Sequence, residues 1–191
     1  QKTRSDALVV MKDGKVVISE TYGKPAGLIE AMSVTKSVVA LAIFHLLGTG
    51  KIESLDTPVS TFYPEWKKGK RAAVTLRHLM NHTSGLAAKR NTKDIYASRD
   101  FVKFALAAEL ADDPGAKFFY NNRAVNLLAG IVHVASGETL DVYLGKNVFA
   151  PLGITKYTWT KDRAGNPHAM SGLQIAATAV SYTHLTLPTS G

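Results

Sequence analysis

The chain has 191 residues, 46% of them hydrophobic and 20% charged, an ordinary balance for one domain or one and a half. It contains no cysteine, which excludes disulfides and thiolate metal sites and is compatible with an oxidising or a reducing compartment. The net charge of +8 arises from basic residues spread along the chain; the one cluster, Lys67, Lys68, Lys70 and Arg71, is broken by Gly69 and reads as a solvated loop, so no nucleic-acid partner is expected.

No apolar run reaches the roughly 18 residues needed to cross a bilayer. The longest, Val38 to Leu47, is interrupted by His45 and reads as a buried helix. The chain opens at Gln1 with no charged-then-apolar leader, so any signal segment is expected upstream.

In chain order, Ala7 to Met11 and Val16 to Tyr22 read as two strands joined through Asp13-Gly14, a strong hairpin signal because both positions accept positive φ. Gly23 to Leu28 reads as a loop carrying Pro25. Ser33 to Leu47 is apolar on most sides and stops at Gly48 and Gly50, as a buried helix does. Thr75 is placed to cap a helix through Leu76, Leu79 and Met80 that ends near Gly85. Ser98 is placed to cap another through Phe101, Phe104, Ala105 and Ala108. Asp112 to Gly115 is a turn. Asn122 to Ala135 repeats apolar residues at helical spacing, and a further helix is expected from Thr139 to Val148. A hairpin followed by a long helical stretch, without alternation, predicts an α+β fold in place of a doubly wound sheet.

Two short patterns could carry chemistry. In Ser33-Val34-Thr35-Lys36, residues three apart at a helix start share a face, so the hydroxyl and the amine can meet. A serine hydroxyl needs such a base or cation to become a useful nucleophile, and a helix N-terminus favours a developing oxyanion. The bland alternative is an N-capping serine beside a solvated lysine. In Tyr120-Asn121-Asn122, a phenol near a cation can accept a proton, and the Asn122 amide can both donate to and accept from a substrate amide; the alternative is a capped helix start. His82-Thr83-Ser84-Gly85 sets a histidine beside a serine. Adjacent residues seldom face each other as base and nucleophile, and a helix-terminating turn is expected there. The remaining histidines show no metal-ligand spacing, and no metal or cofactor is expected.

Taken together these segments resemble the serine hydrolase family of class C β-lactamases, DD-peptidases and related esterases and amide hydrolases. DALVVMKDGKVV is similar to that family's opening hairpin, MSVTKSVVALAIFHLLGTGKIESLDTPVSTFYPEW to its nucleophile helix and following loop, VTLRHLMNHTSGL to a signature with a structural turn, and PGAKFFYNNRAVNLLAGIVHVASGETLDVYLGKNVFAPLGI to the segment carrying its Tyr-x-Asn motif and helix. The resemblance covers about Asp6 to Leu173. It implies a β-lactamase/transpeptidase-like fold, with Ser33 as acylated nucleophile, Lys36 as its proton-transfer partner, Tyr120 as general base and Asn122 as a substrate contact. It also implies a small-molecule, peptide or ester substrate and a periplasmic or secreted setting. A non-catalytic penicillin-binding or sensor relative, or an inactive fragment, is the alternative.

The family's third motif, Lys or His followed by Thr or Ser and then Gly, has no counterpart after Tyr120. The segment VSYTHLTLPT at Val180 to Thr189 reads as a translated library adapter. A partial domain is therefore expected over 1–179, with its hairpin at 7–22 and its helical region at 31–179. An artefactual tail is expected at 180–191, in a chain truncated at its C-terminus.

Overall fold

The computed structural model describes residues 7–13, 15–22 and 27–176; the 180–191 tail lies outside them. The architecture is α+β, with two small antiparallel sheets around a helical body. Strand β1 (Ala7–Lys12) pairs with β2 (Lys15–Thr21) from Ala7↔Thr21 to Lys12↔Lys15, with an irregularity between Val10 and Met11. Asp13 takes φ 51°, the left-handed geometry that a tight hairpin requires. Every residue of β2 is exposed.

A second sheet was not foreseen. Strand β3 (Leu28–Glu30) occupies the end of the expected loop and continues beyond it. It pairs with a late strand over Leu173–Ala176, which also pairs with Tyr157–Trp159. Strands of three and four residues are too short to show a period of two, so only their partners reveal them.

Between β3 and the late strands lie seven α-helices. Helix α1 (Thr35–Gly48) buries Val38, Val39, Ala42, Ile43 and Leu46. It starts two residues later than its apolar pattern suggested, because Met32–Val34 forms a separate 3₁₀ turn and Met32 itself has φ 46°. Helix α2 (Leu76–Met80) is capped by Thr75 as expected, and His78 completes the box: Thr75 Oγ1 accepts from the His78 N–H at 3.3 Å while His78 Nδ1 accepts from the Thr75 N–H at 3.2 Å. It ends well before Gly85.

The expected cap at Ser98 is corrected. Ser98 closes α3 (Lys93–Ala97), donating to the Ile95 carbonyl at 2.8 Å. Asp100 caps α4 (Phe101–Leu106) by accepting from the Lys103 N–H at 2.9 Å. An N-cap directly precedes the first helical residue and accepts from an N–H two or three positions on, and Asp100, not Ser98, stands immediately before Phe101.

The single helix expected over Asn122–Ala135 is two, α5 (Asn122–Val125) and α6 (Leu127–Ser136), with Asn126 at the junction. Gly137, at φ 79°, ends α6. Helix α7 (Leu140–Leu144) passes into a π-turn over Gly145–Phe149, covering the stretch expected from Thr139. The chain then closes with β4 (Tyr157–Trp159) and β5 (Leu173–Ala176).

The core gathers around Leu46, Trp66, Leu127, Ile131 and Phe149, all fully buried. Each such side chain contributes about 1.5–3 kcal/mol on leaving water. The basic cluster is only partly the solvated loop expected of it. Lys67, Lys68 and Lys70 are exposed, but Arg71 lies 5.7 Å from the Trp66 ring and donates to the Leu106 carbonyl at 3.2 Å. Among the described residues no single helix is long and apolar enough to cross a membrane.

Candidate active site

The exposed Ser33 hydroxyl lies between two proton-carrying groups. Lys36 Nζ donates to Ser33 Oγ at 3.1 Å, and Tyr120 Oη donates to the same oxygen at 3.0 Å. Lys36 Nζ also stands 4.8 Å from the centre of the Tyr120 ring. The Ser33–Lys36 contact follows from the spacing of three residues. The approach of Tyr120, 87 residues away, required the fold.

The turn that presents Ser33 is tied to β5 from both sides. Ala31 N–H donates to the Leu173 carbonyl at 2.9 Å, and the buried Thr35 Oγ1 accepts from the Leu173 N–H at 3.3 Å. Lys36 has a third partner that sequence reasoning missed, the Met170 carbonyl at 2.8 Å. No local pattern marks a main-chain oxygen 134 residues away as the anchor of a lysine.

Tyr120 is held by His82. The His82 carbonyl accepts from Phe119 N–H at 2.8 Å, and His82 Nδ1 accepts from Asn121 N–H at 3.1 Å. Its ring lies against that of Tyr120, with centroids 4.4 Å apart. Because Nδ1 accepts a hydrogen bond, the network assigns the neutral tautomer with its proton on Nε2. Burial, and then the charge of Lys36, keep this imidazole below its ordinary pKa. Partial burial pushes the Tyr120 phenol up, but the nearby Lys36 and the bond to Ser33 outweigh it. The phenol is left below the usual tyrosine value.

His82-Thr83-Ser84-Gly85 is a turn, as expected. Ser84 is 1% exposed and its Oγ accepts from the Leu86 N–H at 3.4 Å, so it is shut away from solvent. Gly85 has φ 72°, and a Cβ there would run into the Asp112 carbonyl, which is why glycine is required. What the sequence did not disclose is that His82 of this turn braces Tyr120.

Asn122, at the first position of α5 and partly buried, makes no side-chain hydrogen bond to Ser33, Lys36 or Tyr120 among the described residues. The cap of α5 is its neighbour Asn121, whose Oδ1 accepts from Ala124 N–H at 2.9 Å and whose Nδ2 donates to the Leu86 carbonyl at 2.7 Å. Two other histidines serve packing: His45 Nδ1 meets Tyr143 Oη at 2.7 Å, and His168 is fully buried between Tyr96 and Phe101. Among the described residues no cluster of His, Cys, Asp and Glu could hold a metal ion.

The fold has counterparts among known proteins. A family model described as Beta-lactamase matches residues 1–188, and the chain belongs to the β-lactamase family of hydrolase-fold proteins. The esterase EstB of Burkholderia gladioli is 31% identical over 176 residues, covering 76% of this chain and 44% of the relative. A β-lactamase of Escherichia coli is 26% identical over 132 residues, covering 69% of this chain and 34% of the relative. The chain thus spans less than half the length of these relatives. In fold it is similar to an octameric penicillin-binding protein homologue of Pyrococcus abyssi (TM-score 0.72, 24% identity, 94% of this chain and 51% of that one). It is also similar to a β-lactamase/D-alanine carboxypeptidase of Yersinia pestis (TM-score 0.74, 23% identity, 93% and 60%).

Proposed function

We propose that the protein is a serine acyl-transfer hydrolase that cleaves amide or ester bonds through an acyl-Ser33 intermediate. The observation that carries this reading is the Ser33 hydroxyl, exposed to solvent and within hydrogen-bond reach of both Lys36 Nζ and Tyr120 Oη. Ser33 Oγ attacks the carbonyl carbon and gives its proton to the Tyr120–Lys36 pair, with Tyr120 as the general base. The tetrahedral intermediate collapses as the pair returns that proton to the leaving amine or alcohol. A water molecule then attacks the ester, loses a proton to the same pair and frees Ser33. The Ser33 N–H, at the start of a helical turn, supplies one donor to the oxyanion, and Asn122 contacts the substrate amide.

β-Lactams, D-alanyl peptides, esters and short linear amides all present the carbonyl this chemistry needs. The names of the relatives, an esterase and a β-lactamase, support that breadth without narrowing it. The partner is a small molecule or peptide, and the reaction needs no cofactor.

A fluorescent penicillin or a fluorophosphonate applied to the full-length protein is expected to label Ser33 alone, with the label lost in Ser33→Ala. Mass mapping that places the label on Ser84, or labelling that survives Ser33→Ala, would overturn the assignment.

A further inference from the structure

Asn126, at the break between α5 and α6, is 1% exposed and has no role in the chemistry above. Its Oδ1 accepts two consecutive main-chain donors, Ala169 N–H at 3.0 Å and Met170 N–H at 3.3 Å. Two N–H groups converging on one atom fix the amide's orientation, since a flipped amide would set donor against donor. Its Nδ2 is buried and has no partner among the described residues. Leaving such a group unpaired costs about 1–3 kcal/mol, a cost offset by the two loop N–H groups that Oδ1 satisfies.

Met170, whose N–H Asn126 holds, is the residue whose carbonyl holds Lys36. We infer that Asn126 is a positioning residue: by fixing the Ala169–Met170 backbone it sets the Met170 carbonyl, and through it the height of Lys36 Nζ above Ser33. The same short stretch of chain carries Tyr120 six residues upstream, so one segment fixes both groups that flank the serine hydroxyl. The rest of the loop is anchored independently. His168 N–H donates to the Thr160 carbonyl at 2.9 Å, Gly172 N–H to the His168 carbonyl at 2.9 Å and Trp159 Nε1 to that same carbonyl at 3.1 Å. Loss of the Asn126 acceptor therefore frees residues 169–170 without unravelling the strand after them.

This inference rests on the acyl-Ser33 reading, and the test separates the two. Full-length wild type, Asn126→Leu, Asn126→Asp and Val132→Ala are compared for p-nitrophenyl ester turnover, fluorophosphonate labelling of Ser33 and thermal midpoint. Asn126→Leu keeps the volume and removes the acceptor; Asn126→Asp keeps the acceptor; Val132→Ala opens a cavity in α6 and so reports destabilisation alone. A misplacement of the order of 1 Å costs up to about 10²-fold in rate. Accordingly, Asn126→Leu should lose about 10- to 100-fold in kcat and in labelling rate with KM little changed. Asn126→Asp should recover most of the loss, and Val132→Ala should lower the midpoint while leaving kcat within a few-fold. Labelling of Asn126→Leu at the wild-type rate, or Asn126→Asp no better than Asn126→Leu, would overturn the clamp alone. A wild type that does not label on Ser33 overturns the acyl-serine reading, and the clamp falls with it.

Discussion

Tyr120 is where the chemistry of single residues can be tested most directly. Its phenol touches Ser33 and is held below the ordinary tyrosine pKa of about 10, mainly by Lys36 and Ser33 against the opposing effect of burial. Under the proposed mechanism, Tyr120→Phe should lower ester turnover by about 10²-fold or more, as losing a general base does. The ring keeps its packing on His82, so the variant should unfold at nearly the wild-type temperature. A lowered pKa places more phenolate at a given pH. In the wild type kcat/KM should rise with pH along a limb centred below 10, and the limb should vanish in Tyr120→Phe. Unchanged kinetics would reduce Tyr120 to a structural residue. His168 offers a test of stability in place of rate. Burial first, and then the charge of Lys36, push its pKa down to about 4 against about 6.5 unfolded. Between those values the unfolded chain binds a proton that the native state refuses, so its contribution is intact above about pH 6.5 and is lost as pH falls toward 4. The urea midpoint should fall across that window, and His168→Leu should flatten the fall. An identical slope in both proteins would remove His168 from the account.

At the scale of elements, short helices here depend on their ends. Helix α2 has five residues, too few for propensity to hold, and its first turn is satisfied by the reciprocal Thr75–His78 bonds. Thr75→Ala should lower the unfolding free energy by roughly 1 kcal/mol, the usual loss for an N-cap, measured as a shift in the urea midpoint at constant slope. Because α2 leads directly into the His82 turn, loosening it should also be felt at Tyr120. The Thr75 cap is legible in sequence because a capping residue acts on an N–H three positions away. The Ser98 misassignment has the same origin. Serine and aspartate both cap, and the choice between two neighbouring candidates was made by where α4 begins, which depends on packing of Phe101 and Val102. The Asn126 break was hidden for a related reason. Its apolar spacing continues through the junction, while the interruption answers to a loop more than 40 residues later.

For the whole molecule, the exposure of the β1–β2 hairpin governs behaviour. Val16, Val17 and Ile18 are 37%, 56% and 40% exposed, and a two-stranded ribbon is marginal without neighbours. Residues 1–191 taken alone should therefore bind a hydrophobic dye. A dye signal no higher than that of a compact reference protein would show that the hairpin face is covered.

What the sequence determined by itself is what acts over a few residues. The Asp13-Gly14 pattern marked the hairpin whose strands pair from Ala7↔Thr21 to Lys12↔Lys15, the three-residue step from Ser33 to Lys36 set half of the site, and Gly85 marked a turn that only glycine can make. The resemblance of ordered motifs supplied the family, because the motifs keep their order even where each alone is ambiguous. The tertiary structure decided everything that joins distant segments. It brought Tyr120 to Ser33, set His82 against Tyr120, paired β3 with β5, and placed the Met170 carbonyl on Lys36 under the grip of Asn126. Those contacts leave no periodicity or local spacing behind. They are made by main-chain groups that every residue carries, and only the packing of one core brings them within hydrogen-bond reach.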